Sequence, residues 1–192
     1  YNYGDGSPID SGVANYAPSH LYSQPGSYTV NVSAKSDSNC VSYGQTQLEI
    51  YHLPVAKFAV DNSCQYQTAV FTDQSTVTGA QVDKWIWTFG DGTDSSALQN
   101  PEHDYDVNGF VSVVERVWSS LGCYDDTVVA IEIYPTPVTV FNFENKVCLG
   151  DLLELESVSS IAYGSIVSTN WLVADSFAYS QNPSYHYFDK VG

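Results

Sequence analysis

The chain is written in short apolar runs separated by glycine, proline and small polar residues, and no stretch keeps a helical period for longer than a turn. Residues 55–60 read as a strand, opened by Pro54 where a missing N–H does little harm. Residues 67–72 read as a second. Residues 85–89 alternate, so that Trp85, Trp87 and Phe89 fall on one face of a third. Gly90-Asp91-Gly92 ends it: two glycines permit positive φ, and the Asp between them can bond nearby backbone N–H groups. After a loop, Gly109 introduces a strand over 110–118, Leu121-Gly122 turns the chain, and 127–134 is the last run before Pro135 and Pro137. About seven short antiparallel strands in so short a span predict a sandwich of two sheets with Trp87 at its centre. Glu115 breaks the pattern. It stands on an otherwise apolar face, which predicts local solvation there or a bulge in the strand.

The pattern recurs. Trp87-Thr88-Phe89-Gly90-Asp91-Gly92 echoes Tyr1-Asn2-Tyr3-Gly4-Asp5-Gly6, and a worn copy stands at Trp171-Leu172-Val173-Ala174-Asp175-Ser176. Pro18-x-His20-x-Tyr22 returns as Pro101-x-His103-x-Tyr105, Gly26 as Gly109, Cys40 as Cys123 and Pro54 as Pro137, each 83 residues later. Cys64 returns as Cys148 at an offset of 84, and Pro183 opens the third copy's counterpart of the His motif. A period near 84 is too long for a solenoid, whose repeats run roughly 20–50 residues. It suits small independent domains in a row. The expected division is the C-terminal part of one unit over 1–53, a complete unit over 54–136, and the N-terminal part of another over 137–192, a window on a longer chain.

Composition narrows the function. Six Lys plus Arg against 22 Asp plus Glu give a net charge of −16, which argues against nucleic acid, since phosphate binding needs clustered cations. Acidity keeps an exposed surface soluble and supplies spare carboxylates for divalent cations. No apolar run approaches the roughly 18 residues of a membrane span, so no membrane insertion is expected. Fifteen Tyr and 13 Gly are a strand-and-turn composition. Four cysteines at repeat-matched places point to an oxidising, extracellular or cell-surface setting.

Chemistry is sparse. There is no Gly-x-Ser-x-Gly elbow, no phosphate-binding loop and no His-Glu-x-x-His, and the glutamates occur singly, so the chain reads as non-catalytic. Asp91 and Asp94, with Asp5 and Asp10 in the first copy, are the candidate Ca²⁺ ligands, although the spacing is wrong for an EF-hand; the competing reading, which outweighs it, makes Asp91 the cap of its own turn. No other cofactor is expected. His20 and His103 recur in matched positions, which favours a hydrogen-bonding role beside Trp87 over metal ligation. Trp85 and Trp118 are not required by the repeat, where Thr169 and Lys35 stand instead. They are candidates for exposed aromatic contacts with sugar or protein, against local core filling.

The motif Trp87, Phe89, Gly90, Asp91, Gly92, then Pro101, His103 and Tyr105, then Gly109, resembles the hallmark of the PKD (polycystic kidney disease) domain, an immunoglobulin-like module. The first copy also carries that family's Gly-x-Tyr-x-Val as Gly26, Tyr28 and Val30, while the middle copy departs from it with Gly109-Phe110-Val111. The resemblance implies an all-β chain of tandem immunoglobulin-like β-sandwich domains. A finer likeness, carried by Gly122-Cys123-Tyr124-Asp125 and Pro135-Thr136-Pro137, is to tandem PKD repeats of very large bacterial surface proteins such as the adhesins of gliding Bacteroidetes. It implies a structural or adhesive stalk module of a long surface or secreted filament. Its partners would be neighbouring domains of the same chain and extracellular polysaccharide or protein. The alternative is an accessory polysaccharide- or protein-binding module on a secreted hydrolase.

In such a sandwich Cys64 and Cys123 fall at opposite poles, which disfavours a bond that needs Cα atoms within about 7 Å. The favoured expectation for Cys40, Cys64, Cys123 and Cys148 is therefore stapling between neighbouring units, with pairing inside a unit as the alternative.

Overall fold

The computed structural model describes residues 1–13, 17–173, 177–179 and 184–187. Ala174, Asp175, Ser176 and Pro183, landmarks of the third copy, lie outside the described residues. The architecture is all-β, and among the described residues there is no helix. In the first third, β1 (Gly26–Lys35) and β2 (Val41–Ile50) form a ten-residue antiparallel ladder. The middle holds β3 (Phe58–Asp61), β4 (Thr68–Asp73), β5 (Val82–Thr88), β6 (Glu102–Asp104), β7 (Gly109–Ser119) and β8 (Tyr124–Ile133). The last third holds β9 (Phe141–Phe143), β10 (Leu152–Ser157), β11 (Trp171–Val173), β12 (Phe177–Tyr179) and β13 (Ser184–Tyr187). Every ladder among the described residues stays within one of these three stretches.

The middle stretch is an immunoglobulin-like sandwich of two three-stranded sheets, ordered β3-β4-β6 and β5-β7-β8. Alternation decides which side chains turn inward. Ala69 and Phe71 on β4 face Val111 and Val113 on β7 and Ile131 and Ile133 on β8. Trp87 is fully buried between the layers, with Phe58 edge-on at 5.2 Å and Phe71 tilted at 5.7 Å between ring centres. Such aromatic pairs stabilise by about 1 kcal/mol beyond the area they bury. Trp171 packs elsewhere, edge-on to Phe141.

The expected strands are present with shifted ends. The first shrinks to Phe58–Asp61, because Val55 makes only an isolated bridge to Thr76. The last begins at Tyr124 rather than 127. β6 was not expected: Glu102-His103-Asp104 has no apolar residue to announce a strand. The expectations for Glu115 are both corrected. It is fully buried, and its register with Trp87 and Thr127 is regular; the irregularity in β5 lies between Val82 and Lys84.

The chain joins this sandwich at one pole and leaves at the other. Near its start, Ala56 N donates to Asp125 Oδ2 at 3.0 Å, at the head of β8. At its end, Tyr134 N donates to Ser63 O and Gln65 N to Tyr134 O, both at 2.8 Å. Between the poles runs the ten-residue β8, which spans about 33 Å at ~3.3 Å per residue.

Only glycine fits where β5 ends. At Gly90, with φ +83°, an added Cβ would stand 2.4 Å from Ser112 O, and at Gly4, with φ +80°, it would stand 2.6 Å from Thr29 O. Gly92 has a similar φ of +84° but open space around it. Gly90→Ala should therefore cost about 2–4 kcal/mol and Gly92→Ala only about 1–2, since the second change adds strain without a clash. Urea denaturation of the two variants followed by tryptophan fluorescence checks the order; equal losses would contradict it.

Candidate functional site

The Gly-Asp-Gly turn builds a compact polar assembly on the end of the core. Asp91 Oδ1 accepts from Thr93 N and Thr93 Oγ1 at 3.1 and 2.6 Å, the expected cap of its own turn. Its Oδ2 lies 2.8 Å from His103 Nε2. The imidazole is stacked on Phe89 with ring centres 4.0 Å apart and planes 4° from parallel, and Tyr105 meets it edge-on. Tyr105 is buried and donates from its hydroxyl to Phe89 O at 3.1 Å. Burial, with the Asp91 charge adding, pushes the Tyr105 phenol well above its ordinary value.

The first copy repeats this assembly almost atom for atom. His20 Nε2 is 2.7 Å from Asp5 Oδ2, His20 stacks on Tyr3 at 3.9 Å and 4°, and the Tyr22 hydroxyl donates to Tyr3 O at 3.0 Å. Hydrogen bonds from Ser7 and His20 hold Asp5 far below the usual carboxylate range. Burial works against ionisation of Asp91, but hydrogen bonds from Thr93 and His103 outweigh it, so Asp91 also lies below its ordinary value. The histidines thus pair with the turn aspartate on the core's rim, and Trp87 has a different partner: its Nε1 donates to Leu98 O at 2.9 Å.

For the Ca²⁺ candidates, the oxygens of Asp91 and Asp5 are already engaged as described, and Asp94 is exposed. No group of three or more His, Cys, Asp or Glu is gathered for a metal among the described residues.

The two candidate contact tryptophans part company. Trp85 turns inward, packs on the core cluster and donates Nε1 to Asp73 Oδ2 at 2.9 Å. Of the two readings weighed for Trp85, local core filling is the one the packing matches, because strand alternation puts it on the same face as Trp87. Trp118 lies on the outer face of β5-β7-β8 with Lys84 Nζ 4.5 Å over its ring and Tyr124 tilted against it at 6.0 Å. Arg116 stands over Tyr124 and pairs with Asp126 at 2.5 Å, and Ile86 and Val128 complete the surface. Tyr124 is 56% exposed, which leaves its ring open to a partner. The sequence named Trp118 but not this company, which only the ladder register Lys84↔Trp118↔Tyr124 supplies.

All four cysteines are free thiols in this chain. Cys64 bridges Tyr134 at the C-terminal pole, while Cys123 precedes Tyr124 at the other end of β8. Roughly 33 Å separates them, against the ~7 Å limit for a disulfide. Cys40 and Cys148 are exposed.

Comparison with known proteins agrees with this geometry. Residues 51–132 match the PKD domain family, so a PKD domain is recognised within the chain. The chain is similar to the PKD1 domain of Vibrio anguillarum Epp, at 20% identity and a TM-score of 0.40, covering 43% of this chain and 95% of that one. It is similar to the PKD1 domain from Vibrio cholerae metalloprotease PrtV, at 23% identity and a TM-score of 0.39, covering 42% and 96%. A third likeness, at 16% identity and a TM-score of 0.39, covering 55% and 54%, is to a structure of carbohydrate-binding modules from the beta-sandwich superfamily.

Asp91→Ala removes the turn cap and leaves His103 without its partner. It should cost about 1–3 kcal/mol at neutral pH. Because the folded-state pKa of Asp91 is depressed, its stabilisation is present above the ordinary carboxylate range and lost as pH falls through the depressed value. The gap between wild type and variant should therefore close in acid, as urea titrations at a series of pH values would show.

Proposed function

We propose that the chain is a non-catalytic structural and adhesive spacer of a long extracellular or cell-surface protein, built from PKD-type units in tandem over 1–53, 54–136 and 137–192. The observation that carries this reading is the duplicated turn assembly, Asp91–His103–Phe89 and Asp5–His20–Tyr3, made with the same contacts in two successive stretches. PKD domains are generally non-catalytic modules, and no nucleophile–base grouping appears among the side-chain hydrogen bonds of the described residues. The opposite placement of the middle unit's two chain ends favours end-to-end stacking. The Tyr163 hydroxyl donates to Ile133 O at 3.0 Å, a direct tie between the second unit and the third.

Polarity of the unit also supports the junction reading of the cysteines. Cys64 at the C-terminal pole would meet the counterpart of Cys123 in the following unit, and Cys123 the counterpart of Cys64 in the preceding one. Non-reducing peptide mapping of a longer tandem checks this; a Cys64–Cys123 peptide from a single unit would overturn it.

A second reading, an accessory module that holds polysaccharide or protein for a secreted hydrolase, is favoured by the outer face around Trp118 and Tyr124. On that reading Trp118→Ala lowers retention on an insoluble glycan at least tenfold and Trp85→Lys instead unfolds the unit. The spacer reading expects no retention from either form.

Small-angle scattering tests the tandem itself. A single compact globule of this length has a radius of gyration of about 16 Å. The spacer reading requires a clearly larger value and an elongated distance distribution; a result near the globular figure would sink it.

A further inference from the structure

Glu115 belongs to neither the turn assembly nor the outer face, yet it is a charged residue fully buried in the sandwich. Val32 stands at the matched position of the first unit, so the repeat does not demand a carboxyl there. Asp73, at the end of β4 in the opposite sheet, is joined to Glu115 through Ser75, which bonds to both carboxyls. Trp85 Nε1 and Gln99 Nε2 donate to Asp73 Oδ2 at 2.9 and 3.0 Å, and Ser75 N donates to Oδ1 at 2.8 Å. Three N–H donors hold Asp73 ionised and leave room for about one more on its roughly four acceptor sites.

Around Glu115 the donors run out. Ser75 Oγ reaches its Oε2 at a long 3.4 Å, and no N–H or O–H reaches Oε1. From β5 the neighbours are Trp85 and Trp87, both neutral. From β8 they are Thr127 and, two residues along, Asp125, whose carboxylate takes Ala56 N. Ahead of β3, Lys57 contributes only its backbone, bonded to Ser75. No Lys, Arg or His side chain bonds to either carboxyl among the described residues. Two carboxylates side by side in an apolar interior do not both ionise. A cation between them would sit against the N–H groups already crowded onto Asp73, so a proton is the better bridge.

We propose that Glu115 keeps a proton at neutral pH and shares it with Asp73. The shared proton latches the Lys57–Phe58 edge to the core by way of Ser75, and its loss in alkali releases that edge. Burial, with the Asp73 charge next, raises the Glu115 carboxyl to about 8. Burial opposes ionisation of Asp73, but hydrogen bonds from Gln99, Ser75 and Trp85 outweigh it and keep that carboxyl low. The folded-state value of Glu115 is above its unfolded value, so its stabilisation is complete in acid and is lost as pH rises through about 8.

The test uses the whole chain and two readouts. The Trp85 indole N–H, bonded to Asp73, reports the pair in an NMR titration, and urea denaturation reports stability. In the wild type the Trp85 resonance moves with a midpoint near 8, and the folded-to-unfolded ratio falls by up to about tenfold per pH unit between roughly pH 5 and 8. Glu115→Gln offers a neutral N–H to Asp73 and should abolish both effects while the chain stays folded. Glu115→Val, which copies the first unit, should likewise flatten the pH profile. A Gln variant with the wild-type slope and the wild-type shift overturns the proposal. So does a wild-type Trp85 resonance that ignores pH and moves on addition of Ca²⁺.

Discussion

The sandwich hangs on a backbone contact that admits no side chain. At the end of β5 the main chain of Gly90 lies so close to Ser112 on β7 that even a methyl group would collide, and the chain must turn with positive φ to leave. That turn sets Asp91 over the end of the core. Asp91 in turn fixes His103, His103 lies flat on Phe89, and Tyr105 closes the edge with its hydroxyl on Phe89 O. Four residues between Phe89 and Tyr105 are thus ordered by one close approach, with Trp87 immediately behind it. The first stretch follows the same sequence of causes from Gly4, which is why the two assemblies agree so closely in distance and angle.

Much of this was legible in the chain. The recurrence of Gly-Asp-Gly and of Pro-x-His-x-Tyr gave the sandwich, its centre at Trp87 and the structural character of the histidines. Alternation alone placed Trp87 and Phe89 inward. What sequence could not supply was partnership across sheets. His103 was expected beside Trp87, yet it binds Asp91, twelve residues earlier, because β6 passes the turn rather than the indole. β6 itself was hidden, since its residues are polar and its strand character comes only from pairing with β4. Trp85 fell on the face of Trp87 by alternation, but its partner Asp73, which takes its N–H, came only with the structure. Glu115 looked like a defect in an apolar face and is an enclosed acid whose environment depends on a strand some 40 residues away.

The polar groups of the turns and of the outer face are used on one another. The aspartates of both turns are consumed by caps and histidines. Two of the chain's six cationic residues, Lys84 and Arg116, lie over the rings of Trp118 and Tyr124. Such cation–π contacts stiffen an outer surface by about 0.5–1 kcal/mol each. They also gather aromatic and basic side chains on the outer face of the middle stretch of an acidic chain. Among the described residues these side chains are spent on holding the shape of the sandwich.

The short parallel pairing at the C-terminal pole has a mechanical meaning. Ser63 and Gln65 run alongside Tyr134 in the same direction, and the Thr136 hydroxyl adds a bond to Gln65 O. Traction on the two ends of the unit drags these segments past each other along their length. All the bonds of that seam then strain together, and rupture must break them as a set. An antiparallel hairpin pulled from its open end would instead unzip one rung at a time. The seam therefore lies in shear, not in unzipping geometry, with respect to the two ends of the unit.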